Sequence, residues 1–338
     1  FVFKTGTNTY YHSTALIDST HFLIAYSDGD YHDSVIIGTV NGSSVSFSTE
    51  YTFNAGAYPN TDIVSIAMLD STHFVVVYTD GGNNKYGTAI IGTISGSSIS
   101  FGSEYVFESA IESCISVSTL DATHFVAAYR TESNGNGVAI IGTVSGTSIS
   151  FGSSSTINTG SNSSINVITI DSTHFIVVYS DGTNTKGDSK IGTVSGSNIS
   201  WGSIYTFHSG YVDSVSAAMI DSTHFVVVFN LGVGLAIIGT ISGTSISFGS
   251  EYTFNTDSAH DTSVAVLDST HFVVAYRDGG NNQYGTVVIG TISGTSINYG
   301  SEYVYDSTSV YTNSTVVLDS THFVVAYRPG NITGGAET

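Results

Sequence analysis

A five-residue phrase, Asp-Ser-Thr-His-Phe, returns along this chain at a nearly fixed interval and sets what the chain can fold into. It begins at Asp18, Asp70, Asp171, Asp221, Asp268 and Asp319, and at Asp121 with Ala122 in place of serine. The histidines stand at 21, 73, 124, 174, 224, 271 and 322, so the steps are 52, 51, 50, 50, 47 and 51 residues. A period of about 50 with strand-like content marks a propeller or an array of repeated sheets, whose units bury their faces only against neighbours.

The second repeat reads as four strands. Ile63 to Leu69 is an apolar run carrying the small residues Ser65 and Ala67. Asp70-Ser71-Thr72 is a turn, in which an aspartate can accept a backbone N–H two residues on. His73 to Tyr78 is apolar without alternation, as is Gly87 to Ile94 after a loop rich in Asp, Gly and Asn. Ser95-Gly96 is a hairpin turn, written Asn41-Gly42 in the first repeat, a strong short-range hairpin signal. Ser98 to Phe107 alternates apolar and polar, and Gly102-Ser103 suggests a bulge. Two central strands apolar on both faces, an outer strand with one wet face and an inner strand of small residues fit a blade beside a central channel. No helical period is present.

The phrase predicts an all-β, seven-bladed β-propeller of four-stranded repeats, with residues 1–338 forming one domain. Ile-Gly-Thr, the mark of the third strand, occurs only six times, at Ile37, Ile91, Ile141, Ile191, Ile238 and Ile289. Phe1-Val2-Phe3 matches the end of a fourth strand. The seventh blade is therefore expected to be incomplete within the chain, which begins without Met and reads as a mature product or a fragment. Its open edge at His322 to Tyr327 is expected to be filled by residues outside this range or by strands of another subunit, including copies of itself.

Charge narrows the partners. Seven basic against 27 acidic residues leave a net charge of −20. That argues against nucleic acid, which requires a basic stripe, and against an anionic membrane surface. No apolar run approaches the ~20 residues of a membrane span. The single Cys114 excludes an internal disulfide framework. An acidic, lysine-poor, hydroxyl-rich chain points to an extracellular, cell-surface or virion setting. Asn41, Asn162, Asn198, Asn313 and Asn331 head Asn-X-Ser/Thr sequons.

The stretches Tyr86 to Gly102 and Tyr284 to Gly300, of the type Tyr-Gly-Thr-Ala-Ile-Ile-Gly-Thr-Ile-Ser-Gly, resemble repeats of surface or virion-associated proteins of marine bacteria and phages. The layout is also similar to seven-bladed lectins and integrin-type propellers. Those resemblances imply display on a surface and recognition of a ligand. The Ser-x-Asp-x-Gly-x-x-Trp box of bacterial sialidases is absent, and Trp201 is the only tryptophan.

Candidate chemistry lies where the repeats differ. The Asp-x-Thr-His turns and the third-to-fourth hairpins are nearly constant. The loops between second and third strands vary, as do those leading into the next repeat, such as Asn54 to Asp62 and Asn255 to Asp261. In a propeller both variable sets emerge on one face. The candidate ligand-binding residues there are Asp28, Asp30, Tyr31, Asp33, Asp80, Asn83, Asn84, Tyr86, Asp181, Asp278, Asn281, Asn282 and Tyr284. Tyr11, Tyr58 and Tyr211 join them as rings on which a sugar could stack. Calcium is the best metal candidate, through the hard oxygens of Asp28, Asp30 and Asp33, although their spacing is not that of an EF-hand; no cofactor is required. The seven phrase histidines sit on separate blades and read as structural, because metal ligands must converge to about 2 Å from one ion. His12, His32, His208 and His260 fall in the variable loops without an evident common centre. Arg130, Arg277 and Arg328 share one repeat position, and only the last two are on neighbouring blades. Glu50, Glu104, Glu251 and Glu302 read as outer-strand surface charges. There is no Gly-x-Ser-x-Gly elbow.

The expected function is a non-enzymatic extracellular binding or adhesion module that recognises a glycan or a surface protein. The alternatives are a structural subunit of a filament or virion assembly built by strand exchange, and a propeller-type polysaccharide lyase or glycosidase centred on Asp28, Asp30, His32 and Asp33.

Overall fold

A computed structural model describes residues 1–56, 63–109, 111–330 and 334–337. The chain is an all-β propeller, and the only helical element among the described residues is a 3-10 turn at Gly81–Asn83. Each repeat runs outward as an antiparallel meander. In the first, Thr9–Asp18 pairs with His21–Asp28, which pairs with Asp33–Asn41, which pairs with Ser44–Phe47 and Tyr51–Asn54. The outer strand is interrupted where the glycine-serine pair suggested a bulge: Gly102 N–H bonds Ile91 O between the segments Ser98–Phe101 and Tyr105–Glu108.

Among the described residues the hydrogen-bonded sheets number six, not seven separate blades. The difference arises in one long strand, Tyr303–Asp319. Its first half pairs with Tyr284–Ser293 as an outer strand. Its second half, Val310 to Asp319, pairs with His322–Pro329 as an inner strand. With no break between the halves, the last two repeats share one eight-stranded sheet.

The inner strands are tied to one another around the axis. Ser13 Oγ accepts from Ile66 N, Ser65 from Val117, Ser116 from Val167, Asn166 Oδ1 from Ala217, Ser216 Oγ from Val264, Ser263 from Thr315, and Ser314 from Thr14. The last of these returns to the first repeat, so the bonds close a ring. The small polar residue of the inner strand therefore does more than relieve crowding. It satisfies an N–H that the neighbouring strand would otherwise bury unpaired.

The core is built by the second strands, in which Phe22 through Asp28 are all buried. Each of the first six phrase phenylalanines is fully buried against the glycine of Ile-Gly-Thr: Phe22 on Gly38, Phe74 on Gly92, Phe125 on Gly142, Phe175 on Gly192, Phe225 on Gly239 and Phe272 on Gly290. A Cβ on any of these glycines would fall inside the ring. An outer-strand aromatic meets the same phenylalanine edge-on, as Phe47, Phe101, Phe151, Trp201, Phe248 and Tyr299 do. Edge-to-face pairs of this kind add about 0.5–1.5 kcal/mol each beyond area burial.

The last repeat corrects the expectation of an open blade. Gly334–Glu337 pairs with Val325, Ala326 and Tyr327, and Val2–Lys4 pairs with Gly334 and Gly335. Both ends of the chain thus meet beside His322–Pro329, and the two missing strands come from the chain itself. The closure is shorter than elsewhere: Phe323 is only half-buried, and the His322 side chain is 55% exposed against 30–41% for its six counterparts.

Candidate functional site

The two faces of the propeller are built differently. On the turn face, every aspartate of the repeated phrase closes the same latch. Asp268 Oδ1 accepts from the Thr270 N–H and hydroxyl, and its carboxylate meets His271 Nδ1 at 3.0 Å. The Thr270 hydroxyl and amide, with His271, hold the Asp268 carboxyl down at about 2. At Asp18, Asp70 and Asp221 slight burial opposes ionisation, but the same threonine and histidine bonds outweigh it and again give about 2. Each histidine is thus spent on the aspartate of its own turn.

On the loop face, most of the predicted ligand aspartates turn out to fold the loops. Asp28 is fully buried, accepts from the Asp30 and His32 amides and pairs with Lys4 Nζ at 2.8 Å. Asp33 is also fully buried and accepts from Asn54 Nδ2. Asp80 takes the Asn83 N–H, Asp181 those of Thr183 and Asn184, and Asp278 that of Gly280. Asn84 and Asn282 hold left-handed backbone at φ 54°, which asparagine tolerates. Asn83 is exposed and its amide donates to Asp80, the N-cap of the 3-10 turn; the Asn281 amide donates to Asp278 O. Tyr86 and Tyr284 open the third strands half-buried, whereas Tyr31 and Tyr211 are exposed by 55% and 49%. Tyr58 lies outside the described residues.

The three aspartates named for calcium are placed differently from one another. Asp28 and Asp33 point inward to other partners while Asp30 is exposed, and among the described residues no three His, Cys, Asp or Glu side chains gather as a metal site needs. Asp28, Asp30, His32 and Asp33 are not among the residues lining the two cavities described below. Glu104 and Glu302 are exposed, as surface charges should be, and they also accept from the buried Tyr78 and Tyr276 hydroxyls at 2.7 Å. Asn162, a sequon asparagine, is fully buried and donates to Gly135 O and Gly160 O.

What the loop face does hold is a pair of adjoining cavities. The first, about 330 Å³, is the mouth of the central channel, lined largely by hydroxyl and amide groups such as Ser13, Ser65, Ser116, Asn166 and Asn313. The second, about 250 Å³, lies between the first, sixth and seventh repeats and shares Tyr11 and Thr312 with the first. Its wall is a cation–aromatic stack. The Arg328 guanidinium lies 4.9 Å from the Tyr10 ring centroid and 4.4 Å from that of Tyr311, and the Arg277 guanidinium lies 5.1 Å from the Tyr311 centroid. Asp261 Oδ2 stands 3.0 Å from Arg277 Nε. His12 is beside them, bonded to Thr312 O and Thr9 Oγ1. Burial, with the charge of Arg328 adding to it, pushes the His12 imidazole down to about 4, so it is neutral at pH 7.

The sequence placed Arg277 and Arg328 at one repeat position but did not find the rings. The usable signal is register. Within their own repeats Tyr311 sits opposite Arg328 and His260 opposite Arg277, and each arginine also reaches the same inner-strand position of the next repeat, Arg277 at Tyr311 and Arg328 at Tyr10. Tyr10 follows Arg328 around the ring closure. After Arg130 the corresponding ring position is Ser163, and that guanidinium donates to Asn162 O instead.

No protein-family model matches the chain, and no curated protein matches it in sequence. Solved structures match in fold. A protein from Lactobacillus plantarum is 10% identical with a TM-score of 0.64, over 86% of this chain and 84% of that one. The C-terminal WD40 domain of Sif2 is 12% identical with a TM-score of 0.58, over 99% and 97%. Sqt1 from Chaetomium thermophilum, bound to the N-terminus of ribosomal protein L10, is 11% identical with a TM-score of 0.59, over 98% and 88%. At these identities the likeness establishes the propeller architecture.

Proposed function

We propose that this chain is a non-enzymatic binding module, acting outside the cell or on a surface assembly, that holds its ligand on the loop face around the channel mouth. We count the eight-stranded sheet as two blades of a seven-bladed ring, because the inner-strand bonds run through each of seven strands in turn. The observation that carries the binding reading is the division between faces. The turn face repeats one latch, while the loop face diverges and carries two joined cavities and the Arg277–Arg328 pair. A saccharide is the favoured ligand class: tyrosine rings border the face, and the hydroxyl and amide groups at the mouth suit a polyhydroxylated ligand. A protein ligand is the second reading, favoured by the likeness to Sqt1 in complex with a protein N-terminus.

A glycan array probed with the intact chain, with and without EDTA, tests this. The expected result is saccharide binding that EDTA leaves unchanged. Silence across a broad array removes the saccharide reading, and EDTA-sensitive binding would point to calcium.

A further inference from the structure

Three arginines are the most selective basic groups in a chain of net charge −20, and two of them meet in one cavity. Their states differ. Arg277 has a carboxylate, Asp261, at its Nε. Arg328 has neither an ion pair nor a hydrogen bond among the described residues; what it has is a ring on each side, Tyr10 and Tyr311. Contact with aromatic rings uses none of the five N–H donors of a guanidinium. The neighbouring His12 is neutral at pH 7 and brings no counter-charge. With Asp261 at Arg277, the cavity keeps one half-buried cation whose N–H donors are unused, and that suits a planar anion, since bidentate carboxylate recognition needs the guanidinium fork.

We infer that the cavity between the first, sixth and seventh repeats binds a saccharide unit bearing a single carboxylate, with the carboxylate on Arg328 and the hydroxyls toward the channel mouth. The inference rests on the loop-face reading above and narrows it. The adjoining mouth, lined by uncharged hydroxyl and amide side chains, favours a sugar over an acidic peptide. The negative field of the whole protein disfavours polyanions, so one carboxylate is the fitting number. Tyr10 and Tyr311 are positioning residues, because they hold the guanidinium rather than touch the ligand.

The test is calorimetric titration of the intact protein with the methyl glycosides of N-acetylneuraminic acid and glucuronic acid, each against its uncharged methyl ester. A short acidic peptide is the third arm. At least one free acid should bind, with its ester weaker by roughly ten- to a hundred-fold, the scale of a charge-assisted hydrogen-bonded contact. Arg328→Gln should lose as much as esterification does, and Arg328→Lys most of it, since lysine keeps the charge without the fork. The inference is overturned if neither acid binds at millimolar concentration, if acid and ester bind equally, or if the peptide binds more tightly than both sugars. Should Arg328→Gln fail to fold, the acid–ester comparison on the unaltered chain still decides. A neutral saccharide bound equally by the unaltered chain and Arg328→Gln would leave the loop-face reading standing and remove this one.

Discussion

The turn face and the loop face draw on the same residue types and use them in opposite ways. At the turns an aspartate and a histidine meet each other seven times over, outside the core, and the pair is used up in closing a hairpin. At the loops Asp28, Asp33, Asp80, Asp181 and Asp278 are buried, the histidine at position 12 is buried and neutral, and the charge left over belongs to Arg328. Repetition therefore marks where the fold is held. Departure from it marks where a charged group is left to meet something else.

Acid should separate the two faces, and this is the largest effect expected. His12 has its imidazole held at about 4, below the ordinary 6.5, so the unfolded chain takes the proton first. Stability is then complete above pH 6.5 and falls as pH drops from 6.5 to 4, by roughly 3 kcal/mol in all. The turn aspartates behave differently. The carboxyls of Asp18, Asp70 and Asp221 titrate at about 2 rather than 3.8, so their contribution is present above pH 3.8 and is lost only as pH falls toward 2. Denaturant unfolding at pH 7.0, 4.5 and 3.0 resolves the two windows. His12→Gln should flatten the first and leave the second; a single loss confined below pH 4 in the unaltered chain would contradict the assignment.

Next in size is the packing beneath the turns. Gly192→Val places a side chain inside the Phe175 ring and should cost about 2–3 kcal/mol, the scale of an overpacked core. A midpoint shift under a quarter of that would mean the glycine is not structurally required. Asp221→Ala removes the acceptor for the Thr223 and His224 amides and should cost about 1 kcal/mol, as loss of a capping side chain does. Smallest of all, Tyr31→Ala on the loop face should change stability by no more than about 0.5 kcal/mol, since the ring is more than half exposed. A turn-sized loss there would blur the division between the faces.

Much of this fold is legible in the chain because each feature recurs. The Asp-x-Thr-His-Phe phrase predicts a turn latched by its aspartate, and Thr20 N does bond Asp18 Oδ1 at 2.8 Å. The doubly apolar second strand and the bulged outer strand read correctly for the same reason. The sheet count did not, because the continuity of Tyr303–Asp319 depends on how two repeats are joined rather than on either repeat. Nor did the closing of the last repeat, since Gly334–Glu337 carries none of the Ile-Gly-Thr signature. At the candidate site the loop carboxylates do a structural job that the sequence did not show. Asp, Gly and Asn in a loop look alike whether they bind a ligand or shape a turn, and Asp28, Asp80, Asp181 and Asp278 prove to shape turns. The Arg328 stack was out of reach of any local pattern, because Tyr10 and Arg328 meet only when the ring closes.

The division of labour between the faces is tested most directly by a footprint. Amide hydrogen exchange is measured on the intact chain alone and saturated with the saccharide that binds it best on the array. Protection should appear on the loop face, in the segments around Tyr10 to Ser13 and Val310 to Asn313, and leave the turns from Asp18 to His21 through Asp319 to His322 unchanged. Protection concentrated at those turns, with the segments around Tyr10 and Tyr311 exchanging as before, would contradict the account.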